Sequence, residues 1–235
     1  MKTLCIYAYY EKNEEYKENC EYFLKHGLND FSDFLFVVNG ASTVVFPDSV
    51  RVLYRENQGF DFQAWTVALR TINPQEYDYF FFVNTSVRGP YTDDPIWQKK
   101  FLNLFNGCVK LVGTTINILS RNGILIPHVQ SMVFVMDQEC LLYLKDTIFA
   151  DHDLSFENMI IQKEFTMSFL ILKRGWNINC VAARYKNADY RFVTHDFNPT
   201  SVSGDPQWPN AYWGKTLTPE EVIFIKTCKE RGIFT

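Results

Sequence analysis

A chain of 235 residues with 47% hydrophobic and 17% aromatic content is long enough to bury one large α/β core. Its formal charge of -4 is scattered, with no block of basic residues, which argues against a nucleic-acid partner, and no window reaches the roughly 18 uninterrupted apolar residues of a membrane span. Six cysteines, at positions 5, 20, 108, 140, 180 and 228, show neither CxxC nor other metal-like spacing, so a reducing, cytoplasmic setting is expected, in free solution or at the face of a membrane.

Thr3 to Tyr9 is an apolar run of strand type, and Lys12 to His26 carries Tyr16, Cys20, Phe23 and Leu24 at helical spacing before Gly27. Its opening residues lack the apolar core of a secretion signal. Phe34 to Val38 and Val50 to Tyr54 read as the next strands, and Gly59 to Thr71 as a helix. A fourth strand, Phe80 to Val83, stops abruptly at Asn84-Thr85-Ser86 and then Arg88-Gly89-Pro90. Trp97 to Phe105 fits a short helix, Val109 to Gly113 and Ser131 to Met136 fit strands, and Gln138 to Leu144 fits a helix. Phe165 to Lys173 is helical and ends at Arg174-Gly175, and Ile178 to Ala183 is a strand. From Asn187 the chain is rich in loops, with Gly204-Asp205-Pro206 among its punctuation, before a last helix from Pro219. Strands separated by helices predict one domain over 1–235 built on a mostly parallel sheet flanked by helices. Residues 1–120 would form a nucleotide-binding half and 121–235 an acceptor-binding half.

Open sheets of this kind bind ligands where parallel strands end, which brings four groups into view. Tyr9-Tyr10 with Asn39 offers aromatic faces and an amide suited to a planar heterocycle; the same pattern fits the edge of an aromatic core. Asn57, Gly59 and Asp61 lie in ENQGFDFQAW, where a glycine turn meets a helix start suited to phosphate or hydroxyl groups, or where Asp61 serves as the cap. Asn84, Thr85 and Ser86 place three short polar side chains at a strand end, and Arg88 beside them can neutralise a diphosphate or pair with a carboxylate such as Asp93 or Asp94. Glu164, in Gln162-Lys163-Glu164, is a carboxylate at an expected helix start, placed either for general-base work or for the helix dipole.

The ordered series IYAYYE, FVVNGAS, RENQGFDFQAW, YDYFFFVNTSVRGPY, KLVGTTIN, PHVQSMVFVMD, KEFTMSFLILKRGWNI and PEEVIFIKT resembles glycosyltransferases related to the rhamnan synthesis F family, over most of the chain. The resemblance implies a Rossmann-like GT-A fold and transfer of a sugar from a nucleotide diphosphate donor to a hydroxyl of a glycan or polysaccharide. The chain would act alone or as part of a larger synthase. It places Tyr9, Asn39, Asn57, Gly59 and Asp61 around the nucleoside and donor sugar, Asn84, Thr85, Ser86 and Arg88 around the diphosphate, and His128 and Gln130 on the acceptor. Glu164 falls at the general base of inverting members. Such enzymes usually carry an Asp-x-Asp pair where this chain has Asn84-Thr85-Ser86, and amide and hydroxyl oxygens are poor substitutes for carboxylates on Mg²⁺ or Mn²⁺. The expectation is a metal that enters with the nucleotide sugar, with Ser86, His195 and Asp196 as the available contacts, or a metal-independent reaction. A catalytically silent sugar-nucleotide or glycan-binding module and a nucleotidyltransferase are the rival readings.

Overall fold

The computed structural model describes residues 1–121, 124–186, 188–201 and 205–227. Asn187, Gly204 and Cys228, named above, lie outside the described residues. In chain order the elements are β1 (Thr3–Tyr9), α1 (Glu14–His26), β2 (Ser32–Asn39), β3 (Arg51–Arg55), α2 (Phe60–Leu69), β4 (Tyr79–Asn84), β5 (Val87–Arg88) and α3 (Gln98–Leu102). There follow β6 (Val109–Gly113), β7 (Ile116–Arg121), β8 (Ile124–Val129), β9 (Val133–Asp137), α4 (Gln138–Leu144) and α5 (Phe156–Met159). A π-helical turn (Ile160–Phe165) leads into α6 (Thr166–Lys173), and β10 (Asn177–Cys180), α7 (Pro219–Val222) and β11 (Ile225–Lys226) complete the series.

Seven strands form one sheet in the order β10-β6-β9-β4-β1-β2-β3. β1 is buried along its whole length, as a central strand covered on both faces must be, and it pairs in parallel with β2 and β4. β9 is the exception, running antiparallel to both β4 and β6. That reversal places its first residue, Val133, opposite Val83 at the end of β4, so Gln130 and Ser131 arrive at the same edge as Tyr9, Asn39 and Asn84. The expected mostly parallel sheet with flanking helices is therefore present.

The two faces carry separate cores. On one, Phe62 and Trp65 of α2, Leu141 of α4 and Ile171 of α6 pack over Ile6, Phe82 and Phe134. Phe82 stacks between Phe134 at 4.8 Å and Phe149 at 5.1 Å, with the Trp65 ring edge-on at 5.5 Å, and such pairs each contribute about 0.5–1.5 kcal/mol beyond their burial. On the other face, Cys20 and Phe23 of α1 and Phe101 of α3 cover Tyr7, Phe36 and Phe81. The five described cysteines are all free thiols, four of them buried.

Two features depart from the sequence reading. The segment between β6 and β9 forms a hairpin, β7 with β8, which the periodicity did not disclose. Gly113 permits its approach: a Cβ there would lie 2.3 Å from Val129 Cγ1. The helix expected from Phe165 is preceded by α5 and the π turn, so Glu164 lies within a continuous helical segment and not at its head.

Candidate functional site

The carboxyl edge of the sheet collects two polar groups. The first joins the start of α2 to the end of β4. Gly59 caps α2 from the left-handed region, at φ +69°, where a Cβ would lie only 2.7 Å from that of Gln63. Phe60 follows in the same region at φ +57°, which costs a bulky side chain about 1–2 kcal/mol and holds only because the surrounding turn fixes it. The turn delivers Asp61 to Asn84, whose Nδ2 donates to Asp61 Oδ2 at 2.8 Å. Phe62 N–H donates to the other oxygen at 3.0 Å. Asp61 is thus no helix cap, as the sequence allowed; Gly59 occupies that position. Burial pushes the Asp61 carboxyl up to about 6, the Asn84 hydrogen bond opposes that rise, and Glu164 adds to it.

Asn84 Oδ1 accepts the Ser86 hydroxyl at 2.6 Å and the Ser86 N–H at 3.0 Å, so its amide is committed on both sides. Thr85 is buried and ties two strand ends together, accepting from Tyr10 N–H at 3.1 Å and donating to Ala8 C=O at 3.0 Å.

The second group surrounds Glu164. Its Oε2 accepts both the Ser131 N–H, at 2.7 Å, and the Ser131 hydroxyl, while Oε1 lies 3.6 Å from His128 Nε2. His128 is 1% exposed, packs on the Phe165 ring and directs Nδ1 at the Ile126 carbonyl at 2.8 Å. A carbonyl only accepts, so the Nδ1 proton stays there and Nε2 faces Glu164 with a lone pair or a second N–H. Burial holds His128 below its ordinary value against the pull of Glu164 and Asp205. His128, expected from sequence at the acceptor, is thus buried behind Glu164. Gln130 is also buried, its Oε1 accepting from the Thr115 hydroxyl at 2.5 Å.

The remaining expected residues divide. Tyr9 is fully buried against Phe46 with its hydroxyl on Glu11 at 2.8 Å, so the core-edge alternative describes it and the exposed ring is Tyr10. Asn39 donates to Tyr9 C=O at 2.8 Å, and its buried Oδ1 has no partner among the described residues. Asn57 is exposed beside the Gly59 turn. Arg88 pairs with Glu18 at 2.8 Å and donates through Nε to Asn19 Oδ1 at 2.9 Å, in place of Asp93 or Asp94. His195 is exposed, and Asp196 spends its oxygens on the Asn198 N–H and the Ser201 hydroxyl. Sequence reasoning missed Ser131. Its signal was available in HVQSM, where a small polar residue opens a strand.

The oxygens at the end of β4 do not make a ready divalent site. Asp61 is the single carboxylate there, Asn84 Oδ1 already accepts twice, and no cluster of three or more His, Cys, Asp or Glu able to hold a metal occurs among the described residues. Replacing Ser86 with Asp adds a second charge beside Asp61. It is expected to tighten Mn²⁺ binding by the nucleotide-free protein by about tenfold or more, read by calorimetric titration against a weakly binding parent. Tight Mn²⁺ binding by the parent contradicts this account of the donor set.

No family model matches the chain, and no curated protein does. Among solved structures, a mannosyltransferase from Pyrobaculum calidifontis in complex with GDP-Man and Mn²⁺ is 11% identical, over 75% of this chain and 53% of that protein, at a TM-score of 0.47. A glycosyltransferase involved in glycosylation of the major capsid of PBCV-1 is 10% identical over 99% and 97% of the two chains, also at 0.47. A CMP:2-keto-3-deoxy-manno-octonic acid synthetase complexed with CTP is 8% identical over 77% and 89%, at 0.45. The chain spans about half the length of the first of these. The fold assignment itself rests on the strand order and register described above.

Proposed function

We propose that this chain is a GT-A-type glycosyltransferase, related to the rhamnan synthesis F group, that moves a sugar from a nucleotide diphosphate to a hydroxyl of a glycan or polysaccharide with inversion. The observation that carries the proposal is Glu164, fixed by two hydrogen bonds from Ser131, at the same strand edge as Asp61 and Asn84. A carboxylate immobilised in this way is arranged to accept a proton. In the reaction the acceptor oxygen bonds to the anomeric carbon, its proton passes to Glu164, and the bond from that carbon to the diphosphate breaks, releasing the nucleoside diphosphate. Asn39 supports the nucleotide assignment, because its orphaned buried Oδ1 is an acceptor suited to an N–H on a base edge. Residues 1–120 then serve the donor and 121–235 the acceptor within one domain. Mg²⁺ or Mn²⁺, where used, enters with the diphosphate and supplies charge neutralisation to the leaving group.

No helix of the described residues is long and apolar enough to cross a membrane. A larger synthase is the natural context for a domain acting on a polysaccharide, and the cytoplasm is the proposed compartment.

The test is a panel of UDP, GDP, dTDP and CMP sugars, with and without Mn²⁺. Thermal shift reads binding and release of free sugar reads hydrolysis. One nucleotide class is expected to raise the melting temperature and to be slowly hydrolysed. Binding without hydrolysis points to the silent-module reading, which the missing Asp pair favours. Release of pyrophosphate from a nucleoside triphosphate points to a nucleotidyltransferase.

A further inference from the structure

Beyond the acidic edge, the loop after β3 and the loop before α5 bring together a group of cations that the reaction above leaves unused. Arg55, at the end of β3, donates one guanidinium nitrogen to Gln58 C=O, while its buried Nη1 has no partner among the described residues. His152 is half-buried, and both its ring nitrogens are likewise buried without partners among those residues. Its ring lies against the Gly59 turn, where a Cβ would stand 3.5 Å from His152 Cε1. Lys163, itself buried, holds the underside of this loop through the Thr147 and Ala150 carbonyls at 3.0 and 3.3 Å. The neighbouring carboxylate of Asp151 is taken by Arg70 at 2.6 Å and by Gln63 at 2.7 Å. Asp153 is exposed.

Three cation-forming groups and three orphaned nitrogens in one partly buried place are costly unless an anion completes them. Burial holds Arg55, His152 and Lys163 all below their ordinary values, and at His152 the charges of Lys163 and Arg55 add to it. Next to them stands an exposed aromatic pair. Phe60 and Phe156, 41% and 58% exposed, meet edge to face at 5.6 Å, and Phe60 is held out by its left-handed backbone.

We propose that this corner binds an anionic sugar, a sugar ring bearing a phosphate or carboxylate, with the anion on Arg55 and His152 and the ring against Phe60 and Phe156. This deepens the glycosyltransferase reading and rests on it for the role of the sugar, which would be the charged group of the acceptor or of the transferred residue. The aromatic pair favours a sugar ring over a bare diphosphate.

Calorimetric titration of the full chain with glucose 1-phosphate, glucuronate, inorganic phosphate and glucose provides the test, beside UDP and GDP as controls for the donor site. The two charged sugars are expected to bind at least about tenfold more tightly than glucose and than phosphate alone. Arg55→Gln with His152→Gln should abolish that preference, and Phe156→Ala, a change at an exposed side chain, should weaken both charged sugars and leave phosphate unchanged. Nucleoside diphosphate affinity and melting temperature should hold in every variant. Absence of a charge preference in the parent, or its persistence in the folded double variant, overturns the proposal. Loss of UDP or GDP affinity in the double variant without binding of charged sugars also overturns it, by assigning the cations to the donor. Charged-sugar binding with no nucleotide-sugar binding or hydrolysis would keep the site and remove the glycosyltransferase reading. Donor hydrolysis without charge preference would do the reverse.

Discussion

Replacing Glu164 with Gln is expected to slow hydrolysis of the nucleotide sugar, and its transfer, by roughly 100- to 10,000-fold, the usual cost of losing a positioned general base. The substitution is nearly isosteric. A glutamine oxygen still accepts from the Ser131 N–H and hydroxyl, and its amide can donate to His128 Nε2, which now sits 3.6 Å from a carboxylate oxygen. The fold should therefore persist, with melting temperature and donor affinity close to parental. A Glu164 present only to pin Ser131 to the π turn would behave in the opposite way, with altered melting and near-normal turnover per folded molecule. Initial rates at saturating donor, taken beside calorimetric donor binding, separate the cases. Near-parental rates in a folded sample would remove the base and, with it, the reason to expect inversion.

Much of this frame was legible in the sequence because its physics is local. β1, β2, β4 and β6 are short β-branched or aromatic runs bounded by turn residues, and their observed limits differ from the expected ones by at most two residues. The β7–β8 hairpin was missed although Asn122-Gly123 stands between two apolar runs, the strongest short-range hairpin signal. The site was legible only as a set of strand ends. Which side chains meet there depends on β9 running backwards, which brings Ser131 to Glu164, and on a π turn, which no apolar spacing announces. Tyr9 shows the limit of position as evidence: it ends a strand at the ligand edge, yet its ring belongs to the core beneath. Arg55 and His152 are 97 positions apart and came together only through the loops that carry them.

Asp61→Asn is expected to stabilise the protein at neutral pH. The ordinary value of this carboxyl is 3.8, and burial, opposed by Asn84 and aided by Glu164, raises it to about 6 in the fold. A raised acid favours the fold while protonated, so its contribution is complete below about pH 4 and is lost as pH rises through about 6. At 1.36 kcal/mol per pH unit, keeping Asp61 ionised at pH 7 costs on the order of 3 kcal/mol. Asparagine stays neutral throughout and resembles the protonated acid, with one oxygen left to accept from either Asn84 Nδ2 or Phe62 N–H, the two donors that reach separate carboxylate oxygens in the parent at 2.8 and 3.0 Å. Denaturant titrations should thus show little difference between parent and variant near pH 4, and an advantage for the variant that grows up to pH 7. A difference that does not change with pH, or a less stable variant at pH 7, contradicts the desolvated, ionised carboxylate. The same carboxylate, held beside Asn84 at a helix start against its own solvation, is the kind of group a fold retains at a cost to stability when it serves a ligand. The Asp61→Asn variant should therefore gain stability and lose donor affinity together. Donor affinity equal to the parent's, measured by calorimetry at pH 7, would leave Asp61 outside the donor site.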